Sequence, residues 1–176
     1  MVPHLRSETP GDRDAITAVL DAAFGGTTES LLVDLIRRSD GFVPHLSIVA
    51  EIGDAVVGHV MLSRVTIRGD QDFRVLSLAP LAVHPDHQNA GIGTALVEEG
   101  LRRADADGEP LVVVEGHPGY YPRFGFLPAH EHGIERPAAR VPLEAFKVRP
   151  LAAYSPTITG RLVYPAPFHE ADAIGP

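Results

Sequence analysis

One stretch, Leu81 to Leu96, limits what the chain can fold into more than any other. It reads Leu-Ala-Val-His-Pro-Asp-His-Gln-Asn-Ala-Gly-Ile-Gly-Thr-Ala-Leu. The first three residues are an apolar, strand-like run. Pro85 ends it, because proline has no N–H to give to a ladder. Glycines follow at Gly91 and Gly93. From Ile92 the apolar period becomes helical, with Ile92, Ala95, Leu96, Leu101 and Ala104 on one face. A strand thus feeds a glycine turn, and the turn opens a helix. The free N–H groups at a helix start, aligned with the helix dipole, make an anion site suited to phosphate. Bare glycine lets the backbone approach such a ligand closely.

The type of phosphate ligand follows from what is missing. A dinucleotide fingerprint reads G-x-G-x-x-G/A, but here the sixth position, counting Gly91 as the first, is Leu96. A nucleotide P-loop ends in Gly-Lys-Ser/Thr, whereas Gly93-Thr94-Ala95 has no lysine. The pattern that remains is Q-x-x-G-x-G at Gln88, Gly91 and Gly93, after Leu81-Ala82-Val83 and His84-Pro85. It resembles the acyl-CoA signature of the GNAT (GCN5-related N-acetyltransferase) family. The bland alternative is a strand-to-helix turn that binds nothing.

The resemblance implies an α/β fold: a mixed, twisted sheet with helices on both faces, split between a bulged fourth strand and the fifth. It implies acetyl-CoA as cosubstrate and no metal. Gln88, Asn89, Ala90, Gly91, Ile92, Gly93 and Thr94 would hold its pyrophosphate. Leu81, Ala82 and Val83 would pair with its pantetheine arm, one of their amides holding the thioester oxygen.

The residues on either side read as alternating elements. Val2 to Ser7 spells a short strand. Thr9-Pro10-Gly11-Asp12 is a helix start, with Thr9 as cap and Pro10 in the first helical position. Ile16, Val19, Leu20 and Ala23 recur at helical spacing up to Gly25-Gly26. A second helix, with Leu31, Leu32, Leu35 and Ile36 on its buried face, runs to Ser39-Asp40-Gly41. Ser47–Ile52 and Ala55–Ile67 are strands about a Gly53-Asp54 turn. His59, on the second of these, reads as a core or edge residue rather than a substrate group. Phe73–Val83 carries Pro80, which marks a bulge or lost pairing. A helix from about Gly91 to Asp105 ends before Asp107-Gly108-Glu109-Pro110. Leu111-Val112-Val113-Val114 reads as a strand buried on both faces, parallel to the one before it.

The segment Glu115-Gly116-His117-Pro118-Gly119-Tyr120-Tyr121-Pro122-Arg123-Phe124-Gly125-Phe126 resembles the family's second signature. On that match Tyr121 is the general acid. A thiol has a pKa near 8.5 and tyrosine near 10, so a positioned phenol can donate as a thiolate leaves. Tyr120 reads as packing. The family's usual glutamate base on the fourth strand is absent from Phe73–Pro80. Glu115, His117 and a water chain remain as alternatives. Gly160-Arg161-Leu162-Val163-Tyr164-Pro165, near Phe168, resembles a bacterial branch of the same family.

Composition narrows the function classes. The length of 176 residues suits one domain, expected over residues 1–168, with 169–176 as a flexible tail. Further strands are expected at Ala145–Leu151 and Gly160–Tyr164. A net charge of −8 disfavours nucleic acid as partner. Without cysteine there is no disulfide scaffold, thiolate zinc site or acyl-cysteine, so transfer to the acceptor is direct. His130-Glu131-His132 lacks a third ligand, and no metal is expected. No apolar run approaches membrane length, which predicts a cytoplasmic protein, monomeric or homodimeric, without membrane contact. The expected activity is transfer of an acetyl group to a small-molecule or peptide amine. The alternative is a catalytically silent CoA-binding regulatory module.

Overall fold

The computed structural model describes residues 2–175. Strand β1 (His4–Ser7) is followed by a 3-10 turn at Pro10–Asp12 and helix α1 (Arg13–Phe24). The Asp12 carboxylate accepts from the Thr9 N–H at 2.7 Å and from Arg6 at 2.7 and 2.9 Å, which pins the helix start to the strand. Gly25, at φ 70°, closes α1, its N–H donating to the Asp21 carbonyl at 2.9 Å. Helix α2 (Thr28–Arg37) leads to the antiparallel strands β2 (Ser47–Ile52), β3 (Ala55–Arg68) and β4 (Asp72–Val83). Helix α3 (Ile92–Ala106) crosses over to β5 (Leu111–Glu115), which lies parallel to β4. The remainder supplies β6 (Leu127–Pro128), β7 (Ile134–Glu135), β8 (Phe146–Pro150), β9 (Gly160–Val163) and α4 (Ala166–Glu170). The strands form one mixed sheet in the order β1-β2-β3-β4-β5-β8-β6, with β9 joining β3 to β7.

Side chains on the two faces of the sheet enter two separate cores. Ile16, Leu20, Leu32 and Ile36 of α1 and α2 pack with Met61, Val65 and Val113. Leu96, Val97 and Leu101 of α3 pack with Leu62, Leu76, Val112 and Val114. The unbroken apolar run of β5 thus follows from burial on both faces, Val113 going one way and Val112 and Val114 the other. A Cβ on Gly58 would stand 3.0 Å from Leu96, which shows how closely α3 lies on β3. His59 is fully buried in β3, its Nε2 2.9 Å from Ser47 Oγ and 3.6 Å from Glu8.

The sheet divides in its middle. Opposite β3, Val60 pairs with Leu81 and Leu62 with Leu78, so β4 carries one extra residue there, around Ala79-Pro80. Strands β4 and β5 pair only at Leu76–Val112 and Ser77–Val113, then part. The edge of β4 from Leu78 to Val83 is left open on that side.

The segment 169–176, expected as a flexible tail, is packed as far as it is described. Ala171 and Ile174 are buried, and Arg140 donates to the Ile174 carbonyl at 3.1 and 2.8 Å. Isolated apolar residues in a Gly/Pro-rich stretch have no local pattern to reveal such docking. Pro176 lies outside the described residues. No helix among the described residues is long and apolar enough to cross a membrane.

Candidate functional site

The end of β4 and the start of α3 build a concave backbone surface. The His84 N–H still bonds to the Val57 carbonyl at 2.9 Å, the last tie to the sheet. Pro85–His87 form a 3-10 turn. Gln88 then folds back, its Nε2 donating to the Val83 carbonyl at 3.0 Å, so its side chain braces the loop. Asn89 (φ 61°) and Gly91 (φ 81°) take left-handed conformations that bend the chain into α3. The first helical bond runs from the Ala95 N–H to the Gly91 carbonyl. Among the described residues, the N–H groups of Asn89, Ala90, Gly91, Ile92, Gly93 and Thr94 make no hydrogen bond. All of these residues but Ala90 line a cavity of about 510 Å³, whose walls also include Leu81, Val83 and Gln88.

Ala82 and Ala90, expected in the same site, do not line this cavity. Ala82 alternates to the other face of β4 and is buried in the core beneath α1 and α2. Only its backbone is at the open edge. Ala90 is exposed on the outer side of the turn.

Two residues complete the cavity from across the split. Tyr120 stands over the helix start, and a Cβ on Gly93 would lie 2.9 Å from its hydroxyl. This explains the second glycine of the pattern. Arg123 sits over the Tyr120 ring at 4.6 Å, and its Nε donates to the Tyr120 carbonyl at 2.9 Å. Among the described residues it is the one Arg or Lys in the lining. Reading Tyr120 as packing was incomplete, and Arg123 was not singled out from the sequence. The available signal was a cation two residues beyond paired tyrosines, on a 3-10 turn (Tyr121–Phe124) ended by Gly125 at φ 82°.

A second cavity of about 310 Å³ adjoins the first, sharing Leu81 and Tyr120 with it. It brings together the three residues picked for proton transfer, Glu115, His117 and Tyr121. Tyr121 is 9 % exposed and packs edge-on against Tyr120 and Phe126, with ring centroids 5.1 and 5.5 Å away. Its hydroxyl has no hydrogen-bond partner among the described residues. Burial, and then the neighbouring Tyr120, push its pKa above the ordinary phenol value, so it holds its proton. Glu115 accepts from the Tyr164 hydroxyl at 3.0 Å. Burial raises its carboxyl pKa, opposed by the Tyr164 bond, the Gly175 N–H and the charge of Arg140. His117 is exposed, and its Nδ1 accepts from the Gly119 N–H at 3.1 Å. In the neutral ring Nε2 then carries the proton. No group of three or more His, Cys, Asp or Glu placed to hold a metal occurs among the described residues.

Residues 4–129 match the family model described as "Acetyltransferase (GNAT) domain". The chain is 35% identical over 156 residues to YjhQ, an uncharacterized N-acetyltransferase of Escherichia coli (strain K12), covering 86% of each. Its fold matches the crystal structure of the E. coli GNAT family N-acetyltransferase YhbS in complex with CoA. That match has a TM-score of 0.88 and 31% identity, over 96% of this chain and 93% of that one. A GNAT family acetyltransferase from Brucella melitensis, in complex with acetyl-CoA, matches with a TM-score of 0.77 and 32% identity, over 94% and 97%. With its split sheet and the family model spanning both signatures, this chain belongs to the GNAT acetyltransferase family.

Proposed function

We propose that the protein moves an acetyl group from acetyl-CoA directly to an amine. One observation carries this reading: a row of unengaged backbone N–H groups at a helix start, opening onto the gap between β4 and β5. Such a row matches the charge and shape of a diphosphate. The free edge of β4 offers main-chain partners to the pantetheine amides, which repeat donor and acceptor as a strand does. On this reading the thioester lies where the gap meets the second cavity, beside Tyr121. The CoA and acetyl-CoA complexes of the relatives from E. coli and B. melitensis support the same assignment.

The chemistry divides among a few groups. The acceptor ammonium first gives up one proton to water, and the freed lone pair on nitrogen attacks the acetyl carbon, forming the N–C bond. A backbone N–H of Leu81–Val83 stabilises the negative charge that develops on the thioester oxygen. Glu115 takes a proton from the nitrogen, directly or through one water, its raised pKa making it a better base than an ordinary carboxylate. The C–S bond breaks, and the CoA sulfur takes the proton of Tyr121. Burial disfavours a lasting phenolate, so Tyr121 donates as the sulfur gains charge and is reprotonated from solvent. Glu115 is preferred to His117 as base because the Gly119 N–H already occupies His117 Nδ1.

A thermal shift with acetyl-CoA, with NAD as control, tests binding, and thiol release over an amine panel tests transfer. Stabilisation by acetyl-CoA alone, with thiol release, is the expected result. No shift at saturating acetyl-CoA contradicts the reading. The absence of a carboxylate on β4 between Phe73 and Pro80 favours a second reading, a CoA-binding module without transfer. It predicts the shift but no thiol release with any amine.

A further inference from the structure

The second cavity carries information about the acceptor, and the inference drawn from it rests on the acetyl-transfer reading above. Its wall from α1 and α2 consists of Phe24, Glu29 and Leu32; β4 adds Ala79 and Pro80, and the far wall holds Glu115. Among the described residues no Lys or Arg lines it; His117 does, its Nδ1 accepting from the Gly119 N–H at 3.1 Å. Arg140, whose charge reaches Glu115, donates to the Ile174 carbonyl and is not part of the lining. On α2, the Asp34 carboxylate is taken by Arg38 at 2.7 Å and Arg37 at 3.8 Å, whereas Glu29 has no such partner among the described residues. An acceptor that brought its own carboxylate would lose water at that group. It would face two glutamates and find no Lys or Arg to pair with. Like charges brought together in this way are strongly disfavoured. An apolar body with a positive charge meets the opposite situation. The volume of about 310 Å³ lies at the small end of the ~300–1,000 Å³ usual for ligand pockets.

We propose that the acceptor is a small primary amine that carries no carboxylate, its body against Phe24, Leu32 and Pro80 and its ammonium drawn in by Glu29 and Glu115. Amino acids are rejected by the same two glutamates.

The test is thiol release by the full chain with acetyl-CoA and matched acceptor pairs: tyramine against tyrosine, cadaverine against lysine, agmatine against arginine. The decarboxylated member of each productive pair should have a kcat/KM higher by about tenfold or more. Glu29→Gln should raise the KM for that amine several-fold and narrow the ratio, while the Kd for acetyl-CoA, measured by calorimetry, stays the same. Equal or better use of the amino acids would overturn the inference and leave acetyl transfer standing. So would a ratio unmoved by Glu29→Gln, or faster turnover of a lysine-containing peptide than of cadaverine. Tight acetyl-CoA binding without thiol release from any acceptor would overturn the transfer reading and this inference together.

Discussion

At the residue scale, two side chains on one short turn divide the work by the direction they face. Tyr121 lies on the buried side, where its proton is held, and Arg123 lines the cavity at the start of α3, the proposed phosphate cradle. Tyr121→Phe should lower kcat by about 100-fold, the low end for a general acid, with the acetyl-CoA Kd unchanged. Steady-state thiol release and calorimetry separate the two, and an unchanged kcat removes Tyr121 from the mechanism. Arg123→Ala should weaken acetyl-CoA about tenfold, as for loss of one charge-assisted contact. Binding of acetyl-pantetheine, which lacks the diphosphate, should not change; equal loss for both ligands would place Arg123 elsewhere. The spacing Tyr-x-x-x-Gly-Phe singles out Tyr121, which lines the second cavity with Glu115 and His117. The sequence hid the roles of Tyr120 and Arg123, because which faces of a 3-10 turn meet α3 depends on contacts more than twenty positions away. Ala82 meets the gap only through its backbone, for a local reason: alternation along β4 turns its side chain from the cavity that Leu81 and Val83 line.

At the scale of elements, the residue that follows β1 is joined to α2, β2 and β3 by a polar cluster that the apolar patterns could not reveal. Glu8 accepts from Arg37 at 2.8 and 2.9 Å and from Ser47 at 2.7 Å, with His59 beyond. The Arg37 side chain is 4 % exposed and that of Glu8 8 %. Glu8→Gln leaves the guanidinium buried against a neutral group and should cost about 3–5 kcal/mol, read from urea unfolding at pH 7. A cost under 1 kcal/mol would mean that the cluster is solvated. Burial alone would raise the pKa of Glu8, but His59, Arg37 and Ser47 outweigh it and bring it from 4.5 to about 2. Its stabilisation is therefore full above pH 4.5 and is lost as pH falls toward 2. Burial holds His59 below its ordinary 6.5, so the unfolded chain binds that proton first, and stability also declines as pH drops below 6.5. The urea midpoint should thus fall steadily from pH 7 to pH 3. A flat profile would contradict both assignments. The long elements were readable because hydrophobic period is a local property: α1, α3, β3 and β5 lie within a few residues of where spacing puts them. The two-residue strands β6 and β7 have no period to read, and they exist only because β8 and β9 pass beside them.

At the scale of the molecule, the opening between β4 and β5 organises everything else. A proline and an extra residue on β4 stop the pairing after Ser77, the crossover helix brings its free N–H groups to one mouth of the gap, and the end of β5 brings Glu115 to the other. The overall plan was legible because the strand-turn-helix unit at Leu81–Leu96 fixes where the gap falls. The acceptor side was not, because α1, α2, β5 and the C-terminal segment each give it only one to three residues. The most direct measurement is a crystal structure of the protein with acetyl-CoA. Diphosphate oxygens should lie about 2.7–3.2 Å from the backbone nitrogens of Gly91 to Thr94, with the acetyl group in the gap beside Tyr121. Electron density for the diphosphate anywhere else, with those N–H groups unengaged, would contradict the proposed cradle.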